Sequence, residues 1–299
     1  MAVGVAAMSS ASIFIRWALD LGVPPLGVAA YRLAIATLAL SIPFVRQRAY
    51  RDYATLGKRS ILLLAGSGIL LALHFAAWIT SLASTSVLSS VVLVTTTPLW
   101  IGLASPLLLG ERNPRSVWLG LLAAMVGGGL VGLADVTGAT SVAGWGDLLA
   151  LCGAVFAAGY LMIGRGVREE LSFVAYVWGV YAVAAVVLAG WALAAGIPLW
   201  GYPPAALLLL AAVGLIPQLI GHTAANYAVR HVSATLVGIS VLGEPIGSTA
   251  LAVVLLGEHP GPLQLVGGAA ILAGIAIASL AERHAAVREP HMPVEEPVL

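Results

Sequence analysis

Two histidines lie inside long apolar runs, where a polar side chain needs a reason to be. His222 stands between Gln218 and Asn226, a spacing of i, i+4 and i+8. At 100° per residue each four-residue step drifts by about 40°, so the three share one narrow helical stripe. His74 has Trp78 and Ser81 on a comparable stripe. Such groups either hydrogen-bond neighbouring helices or line a polar cavity that holds a small polar ligand. Glu244, flanked by Ser240, Pro245 and Ser248, is the one acidic residue deep in an apolar run. A carboxylate there can exchange a proton or anchor a broken helix. Thr95, Thr96 and Thr97 precede Pro98 and Trp100, and hydroxyls beside a proline can occupy the carbonyl that the missing N–H leaves free. Trp78, Trp100 and Tyr160 are the deeper aromatics suited to stacking on a ligand. Trp17, Trp145, Trp191 and Trp200 suit the two membrane interfaces. Arg16 and Asp20 stand four apart on a helix as a possible end-of-helix pair, with Arg32 free to join them or to gate the mouth.

These residues need a scaffold of a particular kind. The chain has 299 residues, 60% hydrophobic and 9% charged, with a mean hydropathy of +1.01. Fourteen Lys+Arg and thirteen Asp+Glu cannot clothe a water-soluble protein of this size. A soluble enzyme, a nucleic-acid binder and a disordered chain are excluded. The fold class is an all-α integral membrane protein, with the lipid bilayer and a small-molecule substrate as partners and no nucleic acid. Apolar runs of about 20 residues fall at 2–19, 27–45, 60–82, 86–109 and 115–134, then at 145–164, 172–195, 205–229, 233–256 and 262–281. Ten transmembrane helices are expected. Residues 282–299, rich in Pro and charge, are expected to form a disordered cytoplasmic tail.

Charge placement orients the bundle. With both termini in the cytoplasm, 12 of the 14 Lys/Arg fall in inner connections, including Arg46, Arg48, Arg51, Lys58 and Arg59, and none in outer ones. That is the bias of a multi-pass protein of the cell inner membrane. Residues 107–111 (LLLGE) match 254–258 (VLLGE) at an offset of 147, as Pro98 matches Pro245, and His74 matches His222 at 148. Two repeats of five helices follow, over 1–135 and 145–281. Five is odd, so the second is inverted, a plan frequent in secondary transporters with a site at the repeat interface. Gly120, Ala124, Gly128 and Gly132, with Ala270, Gly274 and Ala278, form small-residue stripes that should be packing seams away from the cavity.

Arg32, the Pro98…Leu-Gly-Glu111 pattern, Gly146-Asp147-Leu148-Leu149-Ala150 and the Glu244-Pro245…Leu256-Gly257-Glu258 pattern carry a resemblance. With ten spans and a five-helix repeat, the chain resembles the drug/metabolite transporter superfamily, EamA type, and within it the aromatic amino-acid exporters. The resemblance implies export of small metabolites, amino acids above all, by alternating access through a central cavity. The polar and aromatic positions inside the spans make His74, Trp78, Trp100, Tyr160, Gln218, His222 and Asn226 the candidates for substrate contact, and Glu244, Arg16, Arg32 and Thr97 those for coupling or gating. Other metabolites or drugs, nucleotide sugars among them, are alternative cargo, though a diphosphate would want more basic residues inside the spans.

An intramembrane enzyme is the rival class. Gly144-Trp145-Gly146-Asp147 fits the Gly-x-Gly-Asp of membrane aspartyl proteases, but their chemistry needs a second facing carboxylate, and no other aspartate lies mid-span. No catalytic residue, cofactor or metal is expected. Cys152 is the single cysteine, neither histidine has a carboxylate or thiol beside it, and no Gly-rich phosphate loop ending in Lys-Ser/Thr occurs. A monomer or weak homodimer is the expected state.

Overall fold

The structure is a computed structural model that describes residues 2–108, 115–137, 143–168, 170–228 and 241–288. Its elements in chain order are α1 (Ala2–Ser9), α2 (Ala11–Asp20), α3 (Pro25–Arg46), a 3-10 turn (Ala49–Thr55) and α4 (Lys58–Leu82). There follow α5 (Val87–Val94), α6 (Thr97–Leu108), α7 (Arg115–Thr137), α8 (Ala143–Arg168), α9 (Phe173–Ala194) and α10 (Pro204–Val213). A π-helical stretch (Gly214–His222), α11 (Thr223–Ala228), α12 (Gly243–Leu256) and α13 (Pro262–Arg288) complete the chain. Among the described residues there is no strand. Eight helical runs are long and apolar enough to cross a bilayer, and two shorter apolar helices, Gly243–Leu256 and Pro262–Ala278, stand beside them. The chain is a multi-pass membrane protein.

Three expected spans are interrupted, each for a local reason. The first breaks at Ser10, whose amide and hydroxyl both return to the Ala7 carbonyl. The fourth divides into α5 and α6 because Pro98 cannot donate to the Val94 carbonyl one turn back. The Thr97 hydroxyl takes that carbonyl at 2.9 Å, as the threonine–proline pattern predicts. The eighth widens to π geometry around Pro217. A π turn, closed by an i→i+5 bond, holds slightly more than four residues, so Gln218 and His222 lie nearly one above the other. At the other end of the chain, α13 runs to Arg288 rather than stopping at 281. Residues 282–288 contain no proline or glycine to break the helix.

The seam between α7 and α13 follows only part of the expected four-residue stripe. A Cβ placed on Gly120 would stand 2.4 Å from the Gly274 carbonyl oxygen, and one on Gly127 2.6 Å from that of Gly267. Gly128 and Gly132 meet nothing closer than 3.7 Å. Seven residues drift by only about 20° where four drift by about 40°, so Gly120 and Gly127 stay on one line. The contacts exchange when the chain is shifted by 147. Gly120 meets Gly274 and Ala278, while Gly267 meets Gly127 and Val131; Gly127 meets Ile271, while Gly274 meets Ala124. A self-complementary pattern of this kind is what a two-fold operation produces.

Polar ties join the halves at both ends of the bundle. At one end Arg16 Nη2 lies 3.1 Å from Glu258 Oε1, and Arg16 Nη1 donates to the Leu82 carbonyl. Gly257, at φ +67°, ends α12 in the left-handed conformation that glycine favours. The chain turns there so that the Glu258 carboxylate accepts the Val87 N–H at the start of α5, at 2.9 Å. An acid at a helix N-terminus is also favoured by the helix dipole. The Leu-Gly-Glu motif of 256–258 is thus a helix stop followed by a cap for another helix. At the opposite end Ser60 donates to Glu170 at 2.8 Å, Asp52 accepts the Ser172 N–H at 3.0 Å, and Tyr53 donates to the Ala175 carbonyl at 2.7 Å. Burial, and Asp52 after it, pushes the Tyr53 phenol up to about 12.

Candidate functional site

Between the two sets of ties lies a cavity of about 260 Å³. From the first half, α4 contributes Leu71, His74, Phe75 and Trp78 to its wall, and the α5–α6 break contributes Thr95, Thr97 and Pro98. From the second half, α8 contributes Tyr160, α9 Tyr181, and the π stretch Gln218 and His222. Leu242 and Glu244 close the wall from the start of α12. The cavity therefore sits where two of the helices are interrupted and a third begins. A small pocket of mostly apolar and aromatic lining with a few convergent polar groups is the usual form of a small-molecule site.

The two histidines meet it in different ways. His74 Nδ1 is 2.9 Å from the Gly153 carbonyl, a contact in which Nδ1 donates and Nε2 is left as the acceptor in the neutral ring. A Cβ at Gly153 would stand 3.5 Å from both the His74 carbonyl and Trp78, an ordinary contact, so the approach does not depend on glycine. The His74 and Trp78 rings are near-parallel with centroids 6.2 Å apart, and His222 meets Phe75 edge-on at 6.2 Å. Phe75 is thus flanked by both histidines.

Seven of the eleven residues singled out from sequence stand in the wall: His74, Trp78, Tyr160, Gln218, His222, Thr97 and Glu244. Glu244 lies in the first turn of α12, which begins at Gly243, so it is at a helix start rather than in mid-helix. Pro245 fits there because first-turn amides have no intrahelical acceptor. Ser248, expected on the Glu244 face, donates to the Ser9 carbonyl at 3.1 Å and ties α12 to α1. Ser240 and Glu111 lie outside the described residues, as does the side chain of Asn226.

Three expectations are corrected. Trp100 is not in the wall; its indole N–H donates to Thr96 Oγ1 at 3.2 Å, because the 100° helical step turns it away from Thr97 and Ile101. Arg16 pairs with Glu258 rather than Asp20, which is exposed beside an open hollow of about 390 Å³. Arg32 stands neither in that pair nor at the mouth. It is 0% exposed, with Nε donating to Gln218 Oε1 at 2.7 Å and its Cζ 4.3 Å over the Phe75 ring. α3 runs Pro25–Arg46, so Arg32 is two turns inside the helix and faces the bundle. Thr85 donates to Asp147 Oδ1 at 2.9 Å, and Gly146 lets α8 approach Ser84 and Thr85 closely.

Sequence reasoning did not single out Phe75, and offered Tyr181 only as one of many aromatics that could stack on a ligand. An aromatic inside an apolar run is indistinguishable from core packing until its neighbours are known. Phe75 directly follows the histidine that the repeat marks, the one available signal.

The description "EamA-like transporter family" matches residues 1–133 and 144–280 of the chain. A solved crystal structure shares the fold with a TM-score of 0.63 at 21% identity, over 94% of this chain and 96% of that one. No curated protein matches the chain.

Proposed function

We propose that this chain, which belongs to the EamA-like transporter family, is a secondary transporter that exports amino-acid-sized metabolites with apolar or aromatic side chains. The observation that carries the reading is the cavity built from both halves, with aromatic walls and a few polar groups. Trp78 and Tyr160 pack the apolar part of the solute. His74, Gln218 and His222 hold its polar part, and Glu244 is the group suited to proton coupling.

The carrier is built as ten helices in two inverted five-helix repeats, both termini cytoplasmic, working as a monomer or weak homodimer in the cell inner membrane. The exchange symmetry of the Gly120–Gly274 and Gly127–Gly267 contacts supports the two-fold relation, and the one-sided placement of Lys and Arg supports the orientation. Two nearly equivalent packings of such halves open the cavity to one side and then the other. The ties at the two ends, Arg16–Glu258 and Ser60–Glu170, are the contacts that would break in turn.

The test is counterflow of labelled phenylalanine and leucine in liposomes holding the purified protein. Exchange is expected for wild type, with His222→Ala, Gln218→Ala and Trp78→Ala each reducing it at least tenfold. No exchange of any amino acid by wild type would remove the substrate assignment. Variants equal to wild type would remove the site. A gradient series with Glu244→Gln addresses coupling: unchanged dependence on the pH gradient would take Glu244 out of the mechanism.

A further inference from the structure

Arg32 makes an incomplete set of bonds. A guanidinium carries five N–H donors, four of them on Nη1 and Nη2. Only Nε is engaged, by Gln218 Oε1; Nη1 and Nη2 are buried without a partner. The Trp78 ring lies 5.4 Å from Arg32 Cζ, and the Trp78 indole N–H is also buried and unpartnered. Cation–π contact with Phe75 and Trp78 steadies the charge but accepts none of these hydrogens in the way an oxygen would. Glu244 is close enough for its charge to act on Arg32, yet the two make no ion pair. The Tyr181 hydroxyl in the same wall is also unfilled and can accept or donate, but the hydrogens on Nη1, Nη2 and the Trp78 indole outnumber it, and a negatively charged hydrogen-bond acceptor would fill them.

We propose that Arg32 is the carboxylate-selecting residue of the transporter, its Nη1 and Nη2 hydrogens receiving the carboxylate of the solute while Glu244 faces the ammonium end. This rests on the transport reading above and narrows its substrate class to amino acids that carry a free carboxylate. A carboxylate has two oxygens that match the guanidinium fork in parallel, and it offers no donor that would clash with Trp78 Nε1. One guanidinium just behind the wall and one carboxylate in it suit a zwitterion better than a doubly charged phosphate.

Arg32 lies one side chain behind the cavity wall. Phe75 and Gln218 stand in the wall, and Arg32 touches both. Gln218 is then a shutter: its amide holds Nε while the cavity is empty, and its rotation exposes the fork. The arrangement leaves the charge sequestered until a solute arrives.

The experiment uses the intact protein in liposomes loaded with labelled phenylalanine. Competitors are phenylalanine, its amide, phenethylamine and 3-phenylpropionate. For wild type, amide and amine should compete at least tenfold less well than phenylalanine, and 3-phenylpropionate should outdo phenethylamine. Arg32→Gln should bring phenylalanine down to the level of its amide, and Arg32→Lys should restore part of the preference. Amide and amino acid competing equally on wild type would overturn the role of Arg32 while leaving transport intact. So would a monodisperse Arg32→Gln protein that keeps the wild-type preference. Absence of any exchange by wild type is a different result, and would overturn the transport reading together with this one.

Discussion

Arg32 and Glu258 show how differently two charged side chains are used within one helical bundle. Placing an arginine at the centre of a membrane helix costs about 2.5–3.5 kcal/mol on insertion scales, more where its hydrogens are unfilled. Glu258 is the reverse case, since its carboxylate is engaged by both Arg16 and the Val87 N–H. Glu258→Ala removes a helix cap as well as an ion pair, so a loss of about 0.5–2 kcal/mol is expected, read as a lower thermal midpoint in detergent. Glu258→Gln keeps an acceptor for Val87 and should lose less. At the opposite end, Tyr53 is a phenol whose ionisation folding opposes. Its folded pKa lies above the unfolded value of about 10, so its contribution is fully present below that pH and is lost as the pH rises toward about 12. Tyr53→Phe should flatten the alkaline limb of a stability–pH curve measured in detergent; an unchanged limb would show that the phenol does not ionise with unfolding. The sequence showed which side chains are polar inside apolar runs, and so pointed to His74, Gln218, His222 and Glu244. It could not show the pairing of Arg16 with a residue 242 positions away, because helix-local spacing offered Asp20 first.

At the scale of elements, the interruptions are where the chemistry is. Pro98, Pro217 and Pro245 stand at a helix break, in a π stretch and at a helix start, and the cavity wall draws residues from all three places. The threonine–proline repair of the Val94 carbonyl was legible from residue types alone, since a missing N–H one residue on leaves a carbonyl one turn back. The π stretch was not, because a single proline in an apolar run fits a kink equally well. The seam of α7 and α13 was legible in part: four-residue spacing picked out Gly120, Ala124, Gly274 and Ala278, which make the contact, but ran on to Gly128 and Gly132, which do not, and missed Gly127 and Gly267. Gly120→Ala and Gly127→Ala should each cost about 1–3 kcal/mol through overpacking against backbone. Gly132→Ala, in open space, should be neutral or mildly stabilising, since alanine is the better helix former. Thermal midpoints of the three variants decide the matter, and equal midpoints would contradict the close approach.

At the scale of the molecule, an apolar chain with long uncharged runs and a repeat at an offset of 147 was readable as a bundle of membrane helices. The seam contacts that exchange under the same offset give that repeat a spatial counterpart. What no sequence pattern could supply is the cavity itself, because its wall is a property of where seven elements meet. The account stands on that cavity opening to one face of the bilayer at a time. The most direct measurement is the reaction of a cysteine at Thr97, in a Cys152→Ser background, with a membrane-impermeant thiol reagent applied from either face of oriented vesicles. Substrate added to one side should raise labelling from one face as it lowers labelling from the other. Equal labelling from both faces at once, unmoved by substrate, would describe a pore and contradict the account.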